Sequence, residues 1–242
     1  ITSRHNPRLK RILKLREGRE RRHTGQLLVD GSREVLRALL SGIKPIEALL
    51  DVKNDKARTQ EAIAELQNRE VPIITVASDI FAKLAFGDRA DGLVLVAESA
   101  SHSLEDLALP ENALVAVIER VEKPGNLGAI LRTTDGAGVD AVIVADSKVD
   151  LYNPNTIRAS IGTFFRKNIA VATSAATHEW LANNSVQIVV ATPEATDLYH
   201  QTDMTQSTAI VLGSEALGVT DEWRKEDVTQ VAIPMAGVAD SL

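Results

Sequence analysis

Apolar residues recur along this chain in two rhythms, and their alternation predicts an α/β protein. Leu9, Ile12, Leu13 and Leu15 stand at helical spacing among basic residues, so a helix is expected over 7–18. Beyond it, strands are expected at 27–29, 46–50, 73–76 and 93–96, with helices at 32–40, 57–68 and 78–84 and Ser32 as a helix cap. Residues 99–112 are polar and contain Pro110, as an interdomain linker would. An apolar run then extends from Leu114 to Ile118 and breaks at Lys123-Pro124-Gly125-Asn126. A helical run follows, closed by Gly136 and Gly138, and a second apolar run from Ala141 to Ala145 completes a βαβ unit. Helices near 155–160 and 174–182 and strands at 169–171, 188–190, 210–212 and 231–233 continue the alternation. The expected organisation is a basic helical arm (1–22), a small α/β domain (23–98), the linker (99–112) and a parallel-sheet domain with helices on both faces (113–242).

Composition narrows the function classes. With 44% hydrophobic and 25% charged residues the chain reads as an ordinary soluble protein. No apolar run approaches the roughly 20 residues of a membrane span. The N-terminus is basic, without the apolar core of a signal peptide, and Cys is absent, so a cytoplasmic protein without disulfides or thiolate sites is expected. The five His are scattered without ligand spacing, and no metal is expected. Charge is uneven. Residues 1–22 hold nine Lys/Arg against two Glu, a net +7, which leaves −13 for the other 220 residues of a chain whose total is −6. A basic segment on an acidic body points to contact with nucleic acid, through residues such as Arg4, Arg8, Lys10 and Arg11.

Candidate chemistry gathers in three loops that follow strands, where ligands sit in open parallel sheets. The first is PGNLGAILR, 124–132, in which Asn126 could serve only as a helix cap and Arg132 only as a surface residue. The second is IVLGSEALG, 210–218, where Glu215 could equally be the partner of a nearby Arg. The third is VAIPMAGVADSL, 231–242. None has the G-x-G-x-x-G, Walker or G-x-S-x-G pattern, so hydride transfer, phosphoryl transfer and acyl hydrolysis lose ground.

In order and spacing, N-L-G-A-I-L-R at 126–132, L-G-S-E-A-L-G at 212–218 and I-P-M-A-G-V-A-D-S-L at 233–242 resemble the three motifs of the SpoU/TrmH RNA 2′-O-ribose methyltransferases of the SPOUT superfamily. The resemblance covers the C-terminal domain. The N-terminal domain is similar to the family's small substrate-binding domain, which resembles an RNA-binding ribosomal protein. The resemblance implies a deep trefoil knot, a homodimer, and methyl transfer from S-adenosylmethionine (AdoMet) to a ribose 2′-hydroxyl, ribosomal RNA being favoured over transfer RNA. It places AdoMet on Gly213, Ile233 and Leu242, with Thr192, Leu212, Met235 and Ser241 completing the pocket. It assigns catalysis to Arg132, with Asn126 and Glu215 shaping the site, and places Arg158 and Ser160 near RNA.

A guanidinium with a pKa above about 12 is an awkward general base. Arg132 is easier to see holding the target phosphate and stabilising developing negative charge, although base catalysis stays open. Phe164 and Phe165 fit the core better than a stacking platform. The family's third motif continues with Asn and a final helix, whereas this sequence begins at Ile1 and stops at Leu242, so a trimmed or partly disordered chain is expected. Two competing readings are a non-catalytic RNA-binding protein with a degenerate second domain and a small-molecule Rossmann-like enzyme.

Overall fold

The computed structural model describes residues 1–54, 56–86, 91–166 and 168–237. The first of its two sheets contains β1 (Gln26–Asp30), β2 (Pro45–Asp51), β3 (Ile73–Val76) and β4 (Leu93–Glu98) in the order β1-β4-β2-β3. β4 is antiparallel to β1 and β2, and β2 is parallel to β3. One face of this sheet buries Leu28, Leu49, Val94 and Val96 against Leu9 and Ile12 of α1 (Pro7–Lys14) and Leu15 just beyond it. Residues 1–22 are therefore not a detached arm, because their apolar side chains belong to this core. The helix expected over 7–18 ends at Lys14, and a second helix not expected from the pattern, α2 (Gly18–Thr24), follows it.

Helices α3 (Ser32–Leu40), α4 (Ala57–Asn68) and α5 (Ser78–Phe81) complete the expected pattern. Ser32 is not a cap. Gly31 holds that position, and the Ser32 hydroxyl instead hydrogen-bonds to Thr59 Oγ1 at 2.7 Å, tying α3 to α4.

The second sheet is parallel throughout. It contains β5 (Leu114–Glu119), β6 (Ala141–Ala145), β7 (Asn168–Ala172), β8 (Gln187–Ala191), β9 (Thr208–Leu212) and β10 (Val228–Val231), in the order β10-β8-β9-β5-β6-β7. Continuous apolar runs such as Ala141–Ala145, buried at every position, are what a sheet covered on both faces demands. The chain steps outward from β5 to β7, crosses to β8 through α8 (Ser174–Asn183), inserts β9 beside β5, and ends on β10. From β5 and β9, adjacent in the sheet, the chain departs in opposite directions, which makes their carboxyl ends the switch point where such sheets bind ligands.

Two sequence expectations change here. The last strand lies at Val228–Val231 because its register is set by Ile188–Ala191, while Ala232 donates to Asp197 O. The polar stretch expected as a linker folds with this sheet. Leu104 joins its core, Val171 N donates to His102 O at 2.7 Å and Asn168 Nδ2 to Ala108 O at 2.8 Å. These bonds cover the otherwise open edge of β7.

Two compact units result. One comprises residues 1–100, 124–132 and 150–166, and the other 101–123, 133–149 and 167–242. Helix α6 (Pro124–Gly136) starts in the first unit and ends in the second, and α7 (Pro154–Ala159) belongs to the first. No helix among the described residues is long and apolar enough to cross a membrane.

Candidate active site

In the second unit the carboxyl ends of β8, β9 and β10 are adjacent, since Leu212 pairs with Ala191 and Ala191 with Val231. The loop after β9 closes tightly: Ser214 and Gly218 exchange backbone hydrogen bonds of 3.0 and 2.9 Å, and Leu217 N donates to Ser214 Oγ. Only glycine fits at 213, where a Cβ would lie 2.5 Å from Gly218 O and Val219 N. Glu215 is exposed and meets Lys123 Nζ at 3.7 Å, a lysine rather than the arginine considered from sequence. Both side chains are about two-thirds exposed, so the pair contributes little to stability and leaves the carboxylate available.

The chain after β8 binds the chain after β10. Thr192 is buried; its N–H donates to Val231 O, and its hydroxyl bonds Glu194, which holds that carboxyl below the usual range. Further on, Ala232 N donates to Asp197 O and Tyr199 N to Ala232 O. Beyond Ala232, Ile233 and Met235 are exposed. The N–H groups of Ile233, Met235, Ala236 and Gly237 meet no acceptor among the described residues. Exposed apolar side chains beside backbone donors that have no partner among the described residues suit a ligand with an aromatic base and a polar tail. The structure thus brings Thr192, Leu212, Gly213, Ile233 and Met235 to one sheet edge. Ser241 and Leu242 lie outside the described residues.

In the first unit, α6 begins at Pro124 after Lys123, with no side-chain cap. Asn126 is therefore not a capping residue; it stands exposed within the first turn. The exposed side of α6 carries Gly125, Asn126, Ala129 and Arg132, whereas Leu127, Gly128 and Leu131 are buried. Arg132 is exposed, and it pairs with no carboxylate among the described residues. Gly128 packs on α7: a Cβ there would lie 2.5 Å from Ala159 Cβ and 2.7 Å from Thr156 O.

The RNA candidates of this unit divide. Ser160 is fully buried, with its hydroxyl donating to Ile157 O at 2.8 Å, so it is not available to RNA. Arg158 is half-buried and donates to Phe86 O. Arg8 and Arg11 converge on the carboxylate of Glu47, which is only 4% exposed. Those two guanidinia are held by an internal acid, although each remains partly open to solvent. Arg4 lies 3.9 Å from Asp79 with both side chains mostly exposed, and Lys10 is exposed. Phe164 is buried, edge-on to Tyr152 and Phe165. Among the described residues no group of three or more His, Cys, Asp or Glu could hold a metal ion. Sequence reasoning passed over Glu119, a fully buried carboxylate at the end of β5 that binds the loop after β9. Its signal is one acidic residue closing the apolar strand LVAVIE.

Comparison with known proteins bears on this geometry. The SpoU rRNA Methylase family model matches residues 113–242, and the MRM3-like substrate binding domain model matches residues 6–95. A 23S rRNA (uridine(2479)-2′-O)-methyltransferase of Streptomyces viridochromogenes is 30% identical over 250 residues, covering 100% of this chain and 86% of that protein. A crystal structure of an RNA 2′-O ribose methyltransferase superimposes with a TM-score of 0.88 at 37% identity, covering 100% of this chain and 92% of that one. An AdoMet-bound rRNA methyltransferase from Sinorhizobium meliloti gives a TM-score of 0.88 at 27% identity, with coverages of 100% and 91%.

Proposed function

The chain belongs to the SpoU rRNA methylase family, and from that premise we infer that it is an AdoMet-dependent 2′-O-methyltransferase acting on ribosomal RNA. The observation that carries this reading is the family match over the whole second domain, joined to relatives of that activity aligned along the full chain.

AdoMet supplies an already activated methyl group. Gly213 and Ile233 would hold it largely through main-chain groups, with Thr192, Leu212 and Met235 completing the pocket. Leu242 as a further contact and Ser241 as part of the pocket are implied by the family resemblance and lie outside the described residues. A ribose 2′-hydroxyl is a poor nucleophile, so the protein must position it and stabilise the negative charge that develops on it. We assign that role to Arg132, with Asn126 and Glu215 shaping the surroundings of the ribose. An exposed guanidinium suits a phosphate ligand and electrostatic stabilisation.

Three further features belong to the same reading. A knot in the second domain follows the family resemblance. A homodimer follows the family resemblance and is tested by sedimentation equilibrium. A cytoplasmic setting accords with the absence of cysteine and with ribosomal RNA as substrate.

The test is tritium transfer from labelled AdoMet to ribosomal RNA. A 2′-deoxy substitution at the methylated nucleotide should abolish transfer, and retained transfer would overturn the ribose assignment. Arg132→Ala should lower turnover by about 100- to 1,000-fold, the usual effect of removing one electrostatic stabiliser, while sparing AdoMet affinity. Unchanged turnover would remove Arg132 from the chemistry.

A further inference from the structure

Glu119 ends β5 at the switch point of the parallel sheet, and its carboxylate is fully buried. It accepts three hydrogen bonds from two different segments. Thr220 donates its N–H at 2.8 Å to Oε2 and its hydroxyl at 2.6 Å to Oε1, and Ser174, the first residue of α8, donates its hydroxyl at 2.6 Å to Oε1. Ser174 thereby links the carboxyl group to the N-terminal turn of α8. Thr220 closes the 213–220 loop, whose start is fixed by Gly213 against Gly218 and whose middle is fixed by the Ser214–Gly218 bridge. The far end of that loop is held to the sheet by Glu119.

We propose that Glu119 is a positioning residue for AdoMet binding, acting through Thr220 to fix the pose of loop 213–220 at the mouth of the β5–β9 crevice. The inference rests on the reading above that this loop faces AdoMet. Three short hydrogen bonds converging on one buried carboxyl group are strong enough to select one loop pose over others. The two arms of Glu119 have separable consequences: the bonds to Thr220 set the loop, whereas the bond to Ser174 anchors α8.

The experiment is calorimetric titration of AdoMet into the full chain, with thermal unfolding measured in parallel. Glu119→Ala should raise the AdoMet Kd about tenfold, and Thr220→Val, which keeps the N–H but removes the hydroxyl, about threefold or more. Combining the two should add little to Glu119→Ala alone, because both break the same link. Glu119→Gln should recover most of the affinity, its amide oxygen accepting from Thr220 N while its NH2 faces the two hydroxyls. Ser174→Ala should lower the unfolding temperature and leave the Kd unchanged. Equal effects of Ser174→Ala and Thr220→Val on Kd would reduce Glu119 to a structural anchor and overturn the proposal. Wild-type affinity in Thr220→Val and in a folded Glu119→Ala would overturn it as well, and Thr220→Val carries the test if Glu119→Ala does not fold. Failure of the wild-type chain to bind AdoMet would instead refute the underlying functional reading.

Discussion

Asp30 closes β1 with its Oδ2 accepting the Phe86 N–H at 2.6 Å, while its other oxygen is buried and meets no donor among the described residues. Burial pushes its carboxyl up to about 6; Phe86 N–H and Arg158 oppose the rise, and Asp91 and Glu34 add to it. Because the folded-state value lies above the unfolded one, the group costs stability once it is ionised in both states. That cost is fully present above about pH 6 and vanishes as pH falls toward 4, so this residue makes the protein more stable on mild acidification. A displacement of about two units corresponds to roughly 2–3 kcal/mol. Asp30→Asn should therefore flatten the difference in urea midpoint between pH 5 and pH 8, and an unchanged pH profile would contradict the assignment. None of this was legible in the sequence, where Asp30 is one acid among many. The motif proposes Arg132, whereas the burial of Ser160 became visible only once α7 was packed.

At the scale of elements, the same residue type does opposite work within one turn of α6. Gly125 has open space around its missing Cβ, while at Gly128 a Cβ would strike Ala159 and the backbone of Thr156 and Ser160, the last at 3.0 Å. Helical glycine-to-alanine changes gain up to about 1 kcal/mol from propensity alone. At Gly128 that gain is outweighed, since overpacking against backbone costs about 1–3 kcal/mol. Gly125→Ala should raise the denaturation midpoint and Gly128→Ala should lower it; a stabilised Gly128→Ala would mean that α6 and α7 are not in this contact. The sequence announced a glycine-marked turn but not which glycine was packed, because spacing carries no information about the neighbouring helix. Periodicity placed β5, β6 and α4 well for a related reason: their signal is local. It missed α2, whose residues GRERRHT contain no apolar position, and it drew the last strand toward the apolar Val231-Ala232-Ile233.

For the whole molecule, the decisive feature is how the basic residues of the first 22 positions are used. The compact units are discontinuous, with 124–132 and 150–166 folding alongside 1–100, a pairing that no local pattern encodes. Residue 150 supplies one consequence: Arg21 is buried and donates to Asp150 Oδ2 and to Leu15 O and Arg16 O. Arg16 donates to Leu84 O and Ala85 O with its guanidinium 4.4 Å from the centre of the Phe86 ring, and Arg8 and Arg11 are held by Glu47. Deleting 1–22 would remove Leu9, Ile12 and Leu15 from the core and confound any loss of RNA binding with unfolding. Lys10, Lys14 and Arg19 are exposed and form no ion pair among the described residues, so they are the cations to neutralise. The triple glutamine variant should keep its unfolding temperature and bind RNA more weakly. Its log Kd against log salt should flatten by about 0.7 for each lost phosphate contact on a single strand. Glutamine at Arg8 and Arg11 should act in the reverse sense, lowering stability by leaving Glu47 buried without its partners. A salt slope untouched by the triple variant would show that these cations are a solvated face and that RNA is gripped elsewhere on the chain.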